Sequence, residues 1–497
     1  MFAFVNYTYY NIDKLLIRGK PMKLNKIFSP YNPWWTANGQ LFLLPDFKRP
    51  IFNHLLQDLE QLPQMLSITG PRRIGKSTLL LQLIQHLLES GISPERLVYY
   101  SFDDPALETS KVRVDDVIDS TMKLIAGNRN EGVTYLFLDE IQKLEKWELY
   151  LKKYYDLQYP VKIIISGSAS SPIFKKSRES LLGRVKDHHL LPFSFREYAL
   201  YKLRRNSGLT DELNKTYEMG KLVQAMFTED PNLSVESADI PLLSDELRLE
   251  LEELLNSYFI EGGFPEVWEM PSWVKKQEYL YDNQVKKVIY EDLLLAAEFR
   301  KPELLKRFYI SLLERPGQEV AVQSVSQEIA INVAQIEKYL PLLEMTDLVY
   351  RLSKFRSGSL RVRRGNMKFY LVDLALRNAV LRLTESLLDD DAMLGLYAEN
   401  LVFLALKKWR GTIQMDYYRE RDDEVDFIVH IAPNRYLPVE VKYQNQICKS
   451  DFRSVGKFTR RFPKSVNPIM VTKKWEDCGN SDNGFCIPLP IFLLLFD

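Results

Sequence analysis

Two hydrophobic periodicities alternate along residues 47–200 of the chain. Apolar residues at helical spacing predict helices over Ile51–Leu62 and Ser77–Ser90. Between helix-length segments lie short and mostly continuous apolar runs, which are typical of parallel strands covered on both faces. The pattern therefore predicts an α/β domain with a parallel sheet between helices. The strand candidates are Gln64–Thr69, Arg96–Phe102, Val133–Leu138, Val161–Ser166 and His188–Phe193.

Residues 201–300 are more polar and predict a helical lid. The lid carries an acidic insertion within Ser207–Leu255, and a disordered loop around Pro231 is an equally good interpretation of its middle part. A Gly-Gly-Phe-Pro turn at residues 262–265 follows, and helices are then predicted through Tyr290–Ala297.

Residues 301–375 predict three helices and a two-stranded hairpin, which together make a winged helix-turn-helix. Residues 376–497 predict a last α/β domain, with a helix at Leu394–Leu406 and a buried closing strand within Phe485–Phe496. Residues 1–46 remain as an N-terminal segment. The predicted elements of the winged unit are helices Glu303–Leu313, Val322–Ala330 and Val333–Met345, and strands Leu348–Leu352 and Leu360–Val362.

The composition is that of an ordinary soluble globular protein, with 46% hydrophobic and 27% charged residues among 497. A chain of this length forms several domains rather than one core. Its formal net charge of zero excludes a whole-molecule field that attracts nucleic acid. The sequence has no apolar run near the ~20 residues of a membrane span, no secretory signal and no disulfide framework. We therefore expect a cytoplasmic protein.

The strongest chemical signal is a GxxxxGK[ST] sequence between a predicted strand and a predicted helix. Its glycines let the backbone N–H groups and the helix N-terminus face a triphosphate. Lys76 is expected to reach the β- and γ-phosphates, and the Ser77 hydroxyl to ligate Mg²⁺. The sequence thus predicts ATP and Mg²⁺ as cofactors. The predicted nucleotide-binding residues of this loop are Gly70, Pro71, Arg72, Arg73, Ile74, Gly75, Lys76, Ser77 and Thr78.

Further candidates follow other strands of the predicted sheet. Asp139 is expected to hold Mg²⁺ through water, and Glu140 to orient or deprotonate the attacking water. Ser166 or Ser168 is a candidate for contacting that water or the γ-phosphate, although Ser-Gly-Ser is equally consistent with a simple turn. Arg184 is a candidate for neutralising γ-phosphate charge, in cis or from a neighbouring subunit. A surface salt bridge is the alternative for Arg184.

The segments GPRRIGKS, LFLDEIQ, IIISGSAS, SLLGRV and LPFSFREY together resemble prokaryotic AAA-type ATPases that carry a C-terminal domain of unknown function. The segments IEGGFPE and KFYLVDLALRNA resemble the same family, so that the resemblance covers roughly residues 45–445. It implies an ASCE-type sheet in which the sensor strand lies between the P-loop strand and the Asp139 strand. It also implies the roles given above for Lys76, Ser77, Asp139, Glu140 and Ser166.

A second charged cluster near the C-terminus resembles the PD-(D/E)xK nuclease core. Glu440 and Lys442 share one face of a predicted strand, because strand side chains alternate. Asp426, on the preceding strand, and Glu440 are candidate ligands of a second Mg²⁺ or of Mn²⁺. Lys442 is a candidate for activating water, and Glu399 for completing the metal site. Such acid-x-Lys sequences are also common on solvated strands, but relatives of the resembled ATPases often end in a nuclease-like fold.

The winged unit predicts DNA as a partner. Asn332–Tyr339 is placed as a recognition helix, and Arg351–Lys368 contains seven basic residues and no acidic one, which suits phosphate contacts. Winged helices in multidomain ATPases also serve as packing modules, which is the alternative.

Two functional hypotheses follow from these features. In the first, an ATPase controls, through its nucleotide state, a DNA-bound winged helix and a metal-dependent nuclease-like domain. In the second, ATP acts as a slow conformational switch, and the C-terminal fold only binds nucleic acid or a protein. A homo-oligomer or a protein partner, as in a toxin-like or defence-associated regulator, is also compatible with the neutral charge.

Overall fold

The computed structural model describes residues 28–36, 43–104, 132–144, 146–168, 181–216, 218, 243–292, 302–356, 366–409, 414–481 and 484–496. The predicted strand Leu360–Val362 and the middle of the acidic insertion, residues 219–242, lie outside these ranges. Within the ranges, no helix combines the length and the apolar character needed to cross a membrane.

A parallel five-stranded sheet forms the centre of the first domain. Its strands are β1 (Met65–Gly70), β2 (Leu97–Ser101), β3 (Thr134–Asp139), β4 (Val161–Ser168) and β5 (Val185–His189). The strand order is β2-β3-β4-β1-β5, and every neighbouring pair is parallel. The predicted α/β class is confirmed, and β4 lies between β1 and β3, which is the position that the resemblance implied for a sensor strand.

Helices cover both faces of this sheet, which explains why its inner strands are continuously apolar. Leu97 and Tyr99 of β2 pack in the layer that holds the first two helices. Val98 and Tyr100 pack on the opposite face, around the buried Trp147. Alternate residues therefore enter different cores. The helices are α1 (Ile51–Gln61), α2 (Lys76–Glu89), α3 (Trp147–Asp156) and α4 (Phe195–Leu203).

The fifth strand begins three residues earlier than the sequence predicted. Val185–His189 pairs with β1 at the edge of the sheet, and most of its residues are only half-buried. Because an edge strand is covered less completely, its sequence lacks the apolar run that marks the inner strands. The apolar residues Leu190 and Phe193 enter the core beyond the strand. Pro192, which lies between them, cannot donate a ladder hydrogen bond.

The next unit is helical where it is described and includes a helix at residues 207–216. Its Gly-Gly turn is confirmed: Gly262 has a φ of 63°, and the N–H of Gly263 donates to Asp373 Oδ2 at 2.6 Å. That bond ties the turn to the C-terminal half of the chain. The other elements are α5 (Asp245–Glu261), α6 (Trp273–Leu280) and π-helical turns at Tyr281–Lys286 and Val288–Asp292.

The third unit has the order helix, short strand, two helices and two strands. One face of its third helix is buried through Ile336, Tyr339, Leu340 and Leu343, as the spacing predicted. The elements are α7 (Pro302–Leu313), β6 (Glu319–Val320), α8 (Val322–Glu328), α9 (Val333–Met345), β7 (Val349–Lys354) and β8 (Met367–Leu371).

The last unit continues the sheet of the third. Its helices are α10 (Leu374–Leu381), α11 (Asp391–Trp409), α12 (Arg453–Arg461) and α13 (Leu489–Leu495). Its strands are β9 (Met415–Glu420), β10 (Asp423–Ala432), β11 (Arg435–Lys442), β12 (Ile469–Thr472), β13 (Gly479–Ser481) and β14 (Gly484–Pro488). The nine strands have the order β13-β14-β12-β11-β10-β9-β7-β8-β6, and β7 pairs with β9 in parallel.

The closing apolar segment is only partly a strand. The strand ends at Pro488, and residues 489–495 form helix α13, whose side chains are all buried. Pro490 lies in the first turn of that helix, where a missing N–H costs little. The predicted strand is therefore wrong for the second half of the segment.

Candidate functional site

The P-loop joins β1 to α2 in a backbone conformation that requires glycine. Gly70 has a φ of 144°, and a Cβ atom there would lie 2.0 Å from the carbonyl oxygen of Leu190. Gly75 has a φ of 95° and directly precedes the first residue of α2. Other residues rarely adopt such angles. The strand, loop and helix that the motif requires are therefore all present.

Lys76 is buried and its side chain folds back onto the loop. Its Nζ donates to the carbonyl oxygens of Gly70, at 3.1 Å, and of Pro71, at 2.6 Å. Burial lowers the pKa of Lys76, and the negative charges of Glu140 and Asp139 oppose this shift. The ammonium group is therefore within electrostatic reach of both acids.

Asp139 is the centre of a hydrogen-bonded group at the carboxyl end of the sheet. Ser166, on β4, donates to Asp139 Oδ1, and the Tyr99 hydroxyl, on β2, donates to Oδ2 at 2.9 Å. Burial, and then the charge of Asp139, raise the pKa of Tyr99, which keeps it protonated as a donor. Three neighbouring strands thus fix one carboxylate. The sequence indicated Asp139 and Ser166, but it gave no signal for Tyr99.

Glu140 follows Asp139 with an unusual backbone. Its φ of 52° is left-handed, a conformation that is uncommon for non-glycine residues and that concentrates at functional sites. Its N–H donates to Asp139 Oδ1 at 3.0 Å, and Gln142 Nε2 donates to its carboxylate. The structure therefore brings Glu140 next to the Asp139 group, as the sequence predicted.

The structure does not bring Arg184 to the P-loop. Its guanidinium donates to both carboxylate oxygens of Asp156, at 2.7 and 3.2 Å. Its carbonyl oxygen accepts from the N–H of Met65, the first residue of β1, whereas the P-loop follows the other end of that strand. Within one chain, the salt-bridge alternative describes Arg184. A role in a neighbouring subunit's site stays a prediction.

A buried ion pair that the sequence did not reveal supports the P-loop. Arg49 donates to both carboxylate oxygens of Glu197, at 2.9 and 2.6 Å, and through Nη1 to the Ile74 carbonyl at 3.3 Å. Lys408, from α11, lies 3.5 Å from the same carboxylate. Burial opposes ionisation, but Arg49 and Lys408 together lower the pKa of Glu197 to about 2. The pair therefore links the loop to α4 and to the C-terminal half.

Two acidic side chains of the C-terminal half, Asp347 and Glu266, contact the end of the sheet and the P-loop. His189, the last residue of β5, lies 3.1 Å from Thr69 Oγ1 through Nδ1 and 3.0 Å from Asp347 Oδ1 through Nε2. Arg73, within the P-loop, lies 3.0 Å from Glu266. The nucleotide-binding loop is thus in direct polar contact with the later units.

The second charged cluster also assembles. The N–H of Asp426 donates to Glu440 Oε2 at 3.2 Å, and the N–H of Val441 donates to Asp426 Oδ2 at 2.9 Å. Lys442 Nζ donates to Glu440 Oε1. Burial, and then the charge of Asp426, raise the pKa of Glu440 to about 8 and that of Glu399 to about 7. The acidic pocket, as we name it, is lined by Lys368, Glu399, Glu424, Asp426, Glu440 and Lys442.

The arrangement of the acidic pocket does not fit the metal site that the sequence predicted. The Lys368 ammonium lies 3.0 Å from Glu399, 2.9 Å from Glu424 and 3.4 Å from Asp426. Across the described ranges, no three or more acidic, histidine or cysteine side chains are arranged to hold a metal ion. The Lys368 ammonium lies where Glu399, Glu424 and Asp426 converge, whereas Glu440 accepts from Lys442. The assignment of Asp426 and Glu440 as metal ligands stays a prediction.

The basic stretch of the winged unit is partly neutralised within the chain. Arg351 lies 3.1 Å from Glu344, and Lys368 is buried in the acidic pocket. These two of the seven basic residues are therefore paired with acids of the same chain. Arg361, Arg363 and Arg364 lie outside the described ranges.

Three family models match consecutive parts of the chain. Residues 63–199 match an AAA domain, which supports an AAA-type ATPase domain and implies the use of ATP and Mg²⁺. Residues 252–387 match a domain of unknown function (DUF8612), and residues 394–492 match another (DUF4143). The first match contains the P-loop, Asp139, Glu140 and Ser166.

Relatives and solved structures were also found. An uncharacterized protein of Methanocaldococcus jannaschii (MJ1637) is 24% identical over 87% of this chain and 85% of its own length. An uncharacterized protein of Haemophilus influenzae is 24% identical over 76% of this chain and 82% of its own length. A variant of Thermotoga maritima RuvB covers 61% of this chain and 88% of its own, with 17% identity and a TM-score of 0.25. A superposition at that score carries no argument about this fold.

Proposed function

We propose that the chain is an ATP hydrolase whose nucleotide state is passed to its C-terminal half. The observation that carries this proposal is the convergence of Lys76, Asp139, Glu140 and Ser166 at the carboxyl end of one parallel sheet. Ligands of open α/β sheets bind at this edge.

Each of these residues has a distinct task in the proposed reaction. Lys76 exchanges its loop carbonyls for phosphate oxygens, which relieves the desolvation of its buried ammonium. The Ser77 hydroxyl and the Asp139 carboxylate are hard oxygen donors that fit Mg²⁺, which supplies neutralisation of phosphate charge when bound. Glu140 accepts the proton of the attacking water. Ser166 and Tyr99 hold the Asp139 carboxylate in place.

The polar contacts around the P-loop support transmission of the nucleotide state. Arg73 is part of the phosphate-binding loop and also pairs with Glu266. His189 joins the end of β1 to Asp347 of the third unit. A triphosphate adds several negative charges next to these pairs, which alters the balance of their electrostatic energies. The later units therefore experience a different field with and without nucleotide.

Phosphate release with Mg·ATP tests the hydrolase proposal. Lys76→Ala is expected to lose both nucleotide binding and turnover. Glu140→Gln is expected to retain binding while turnover falls at least ~100-fold, as for loss of a general base. Glu60→Gln, on the exposed surface of α1, is the matched control and should retain both. Normal hydrolysis by Glu140→Gln contradicts the role given to Glu140.

For the C-terminal unit, the second hypothesis is favoured: a nuclease-like fold that binds nucleic acid or protein without cleaving. The order of helix α11, three antiparallel strands, helix α12 and the parallel strand β12 supports the fold. The position of Lys368 within the acidic pocket favours the non-cleaving form. The element order of the third unit likewise supports a winged helix, and we propose that this unit contacts DNA.

A plasmid-nicking assay with Mg²⁺ or Mn²⁺ separates the two hypotheses. No cleavage under either metal is expected. Cleavage by wild type that disappears in both Asp426→Ala and Lys442→Ala would instead establish the metal-dependent nuclease. Filter binding of DNA over a salt series tests the nucleic-acid partner, because phosphate contacts weaken steeply as salt rises.

A further inference from the structure

The acidic pocket contains a cation that belongs to the protein itself. Lys368 lies on β8, in the third unit, and its side chain is 3% exposed. Its Nζ contacts carboxylate oxygens from two different elements: Glu399 on α11, and Glu424 and Asp426 on β10. The Tyr370 hydroxyl also donates to the Glu399 oxygen, at 2.7 Å. A helix and a strand thus converge on one ammonium group that a second strand carries.

The distances are those of hydrogen bonds to an ammonium and not those of metal coordination. The oxygens lie 2.9 to 3.4 Å from Nζ, whereas Mg²⁺ requires six oxygens at about 2.0–2.1 Å. On one side, the backbone of Gly317 approaches closely, since a Cβ atom there would lie 3.0 Å from Glu399 Oε1. The carboxylates cannot close on a small ion at the same point while the lysine occupies it.

Carboxylate oxygens of Glu424, Asp426 and Glu440 that do not contact Lys368 also have donors within the protein. Asp426 Oδ2 accepts from the N–H of Val441, and Glu440 accepts from the N–H of Asp426 and from Lys442. Arg419 Nη1 lies 3.4 Å from Glu424 Oε2. A divalent ion would have to displace several of these donors. Displacing the Lys368 ammonium alone would leave a buried charge without a partner, which is strongly unfavourable.

From this geometry we infer that Lys368 is the resident cation of the acidic pocket, and that it excludes divalent metal ions from that pocket in the wild-type protein. Once its charge is removed, Glu399, Glu424 and Asp426 can move together into a divalent-cation site that their present arrangement does not form. The inference rests on the non-cleaving role proposed above for the C-terminal unit. It adds the physical reason for that role, because the position a catalytic metal would take is already filled.

Mn²⁺ binding to the full chain, measured without nucleotide, tests the inference. Electron paramagnetic resonance of free Mn²⁺ and calorimetry both measure this binding. Wild type and Asp426→Asn are expected to bind Mn²⁺ equally weakly. Lys368→Met is expected to gain one site per chain, at least ~10-fold tighter than any in wild type, and Lys368→Met with Asp426→Asn to lose it again. Lys457→Met, which removes a lysine paired with Asp423 elsewhere in the same unit, should match wild type.

Two results overturn the inference. One is a wild-type Mn²⁺ site that disappears in Asp426→Asn. The other is a folded Lys368→Met chain, checked by circular dichroism, that binds no more Mn²⁺ than wild type. If Lys368→Met does not fold, the Mn²⁺ affinities of wild type and Asp426→Asn still decide whether the wild-type pocket excludes the ion. A wild-type Mn²⁺ site that Asp426→Asn removes, found without plasmid nicking, would overturn this inference alone. Nicking by the wild type would overturn the proposed non-cleaving function as well.

Discussion

Replacing Glu197 by Gln is expected to destabilise the protein by about 3 kcal/mol at neutral pH. Arg49 and Lys408 lower the pKa of Glu197 to about 2, from an ordinary value of 4.5. That difference of about 2.5 pH units, at ~1.4 kcal/mol each, corresponds to roughly 3 kcal/mol. The side chains of Arg49 and Glu197 are 6% and 2% exposed, so solvent screens the pair little.

The sign of the pH dependence follows from the depressed pKa. The stabilisation is fully present above pH 4.5, where Glu197 is ionised in both states, and it is lost as the pH falls through about 2. At about pH 3.5 the unfolded chain already binds the proton, while the folded chain does not. The stability gap between wild type and Glu197→Gln should therefore narrow by about 1 kcal/mol or more between pH 7 and pH 3.5.

Urea unfolding followed by tryptophan fluorescence at both pH values measures this gap. Asp282→Asn is the matched control, because it breaks an exposed pair with Lys286, with side chains 58% and 59% exposed. Its effect should stay below ~0.5 kcal/mol. The reasoning is refuted if the two variants lose the same stability, or if the gap for Glu197→Gln does not change with pH.

Two further substitutions test the geometry of the nucleotide site. Gly70→Ala should lower the free energy of unfolding by more than ~2 kcal/mol and abolish binding of a fluorescent ATP analogue, because its Cβ meets the Leu190 carbonyl. The control Gly91→Ala, also at positive φ but with open space around it, should bind the analogue normally. Equal binding by the two variants would contradict the expectation. Tyr99→Phe should leave ATP affinity nearly unchanged, because the Tyr99 hydroxyl donates to Asp139 and not to the P-loop. Turnover should fall ~10-fold and the free energy of unfolding by ~1–2 kcal/mol, since Asp139 Oδ2 loses its donor. Steady-state kinetics and thermal unfolding measure these two effects, and unchanged values would show that Tyr99 does not position Asp139.

The sequence by itself determined the parts of the protein whose signals are local. The P-loop is a run of eight residues between a strand and a helix, and continuous apolar runs predict the inner strands. Asp139 ends one such strand and Ser166 lies two residues before the end of its neighbour, so parallel pairing placed them at one edge. Strand β5 was predicted three residues too late, because an edge strand lacks the apolar signature of an inner one.

Only the tertiary structure decided which charges meet in the interior. Arg49 and Glu197 are 148 residues apart, and Lys368 lies 58 residues from Asp426. Periodicity and spacing report which face of an element is buried, but they do not report which element packs against it. A buried charge is tolerated only beside a partner of opposite sign, and the fold alone brought the lysine of one unit among the acids of another.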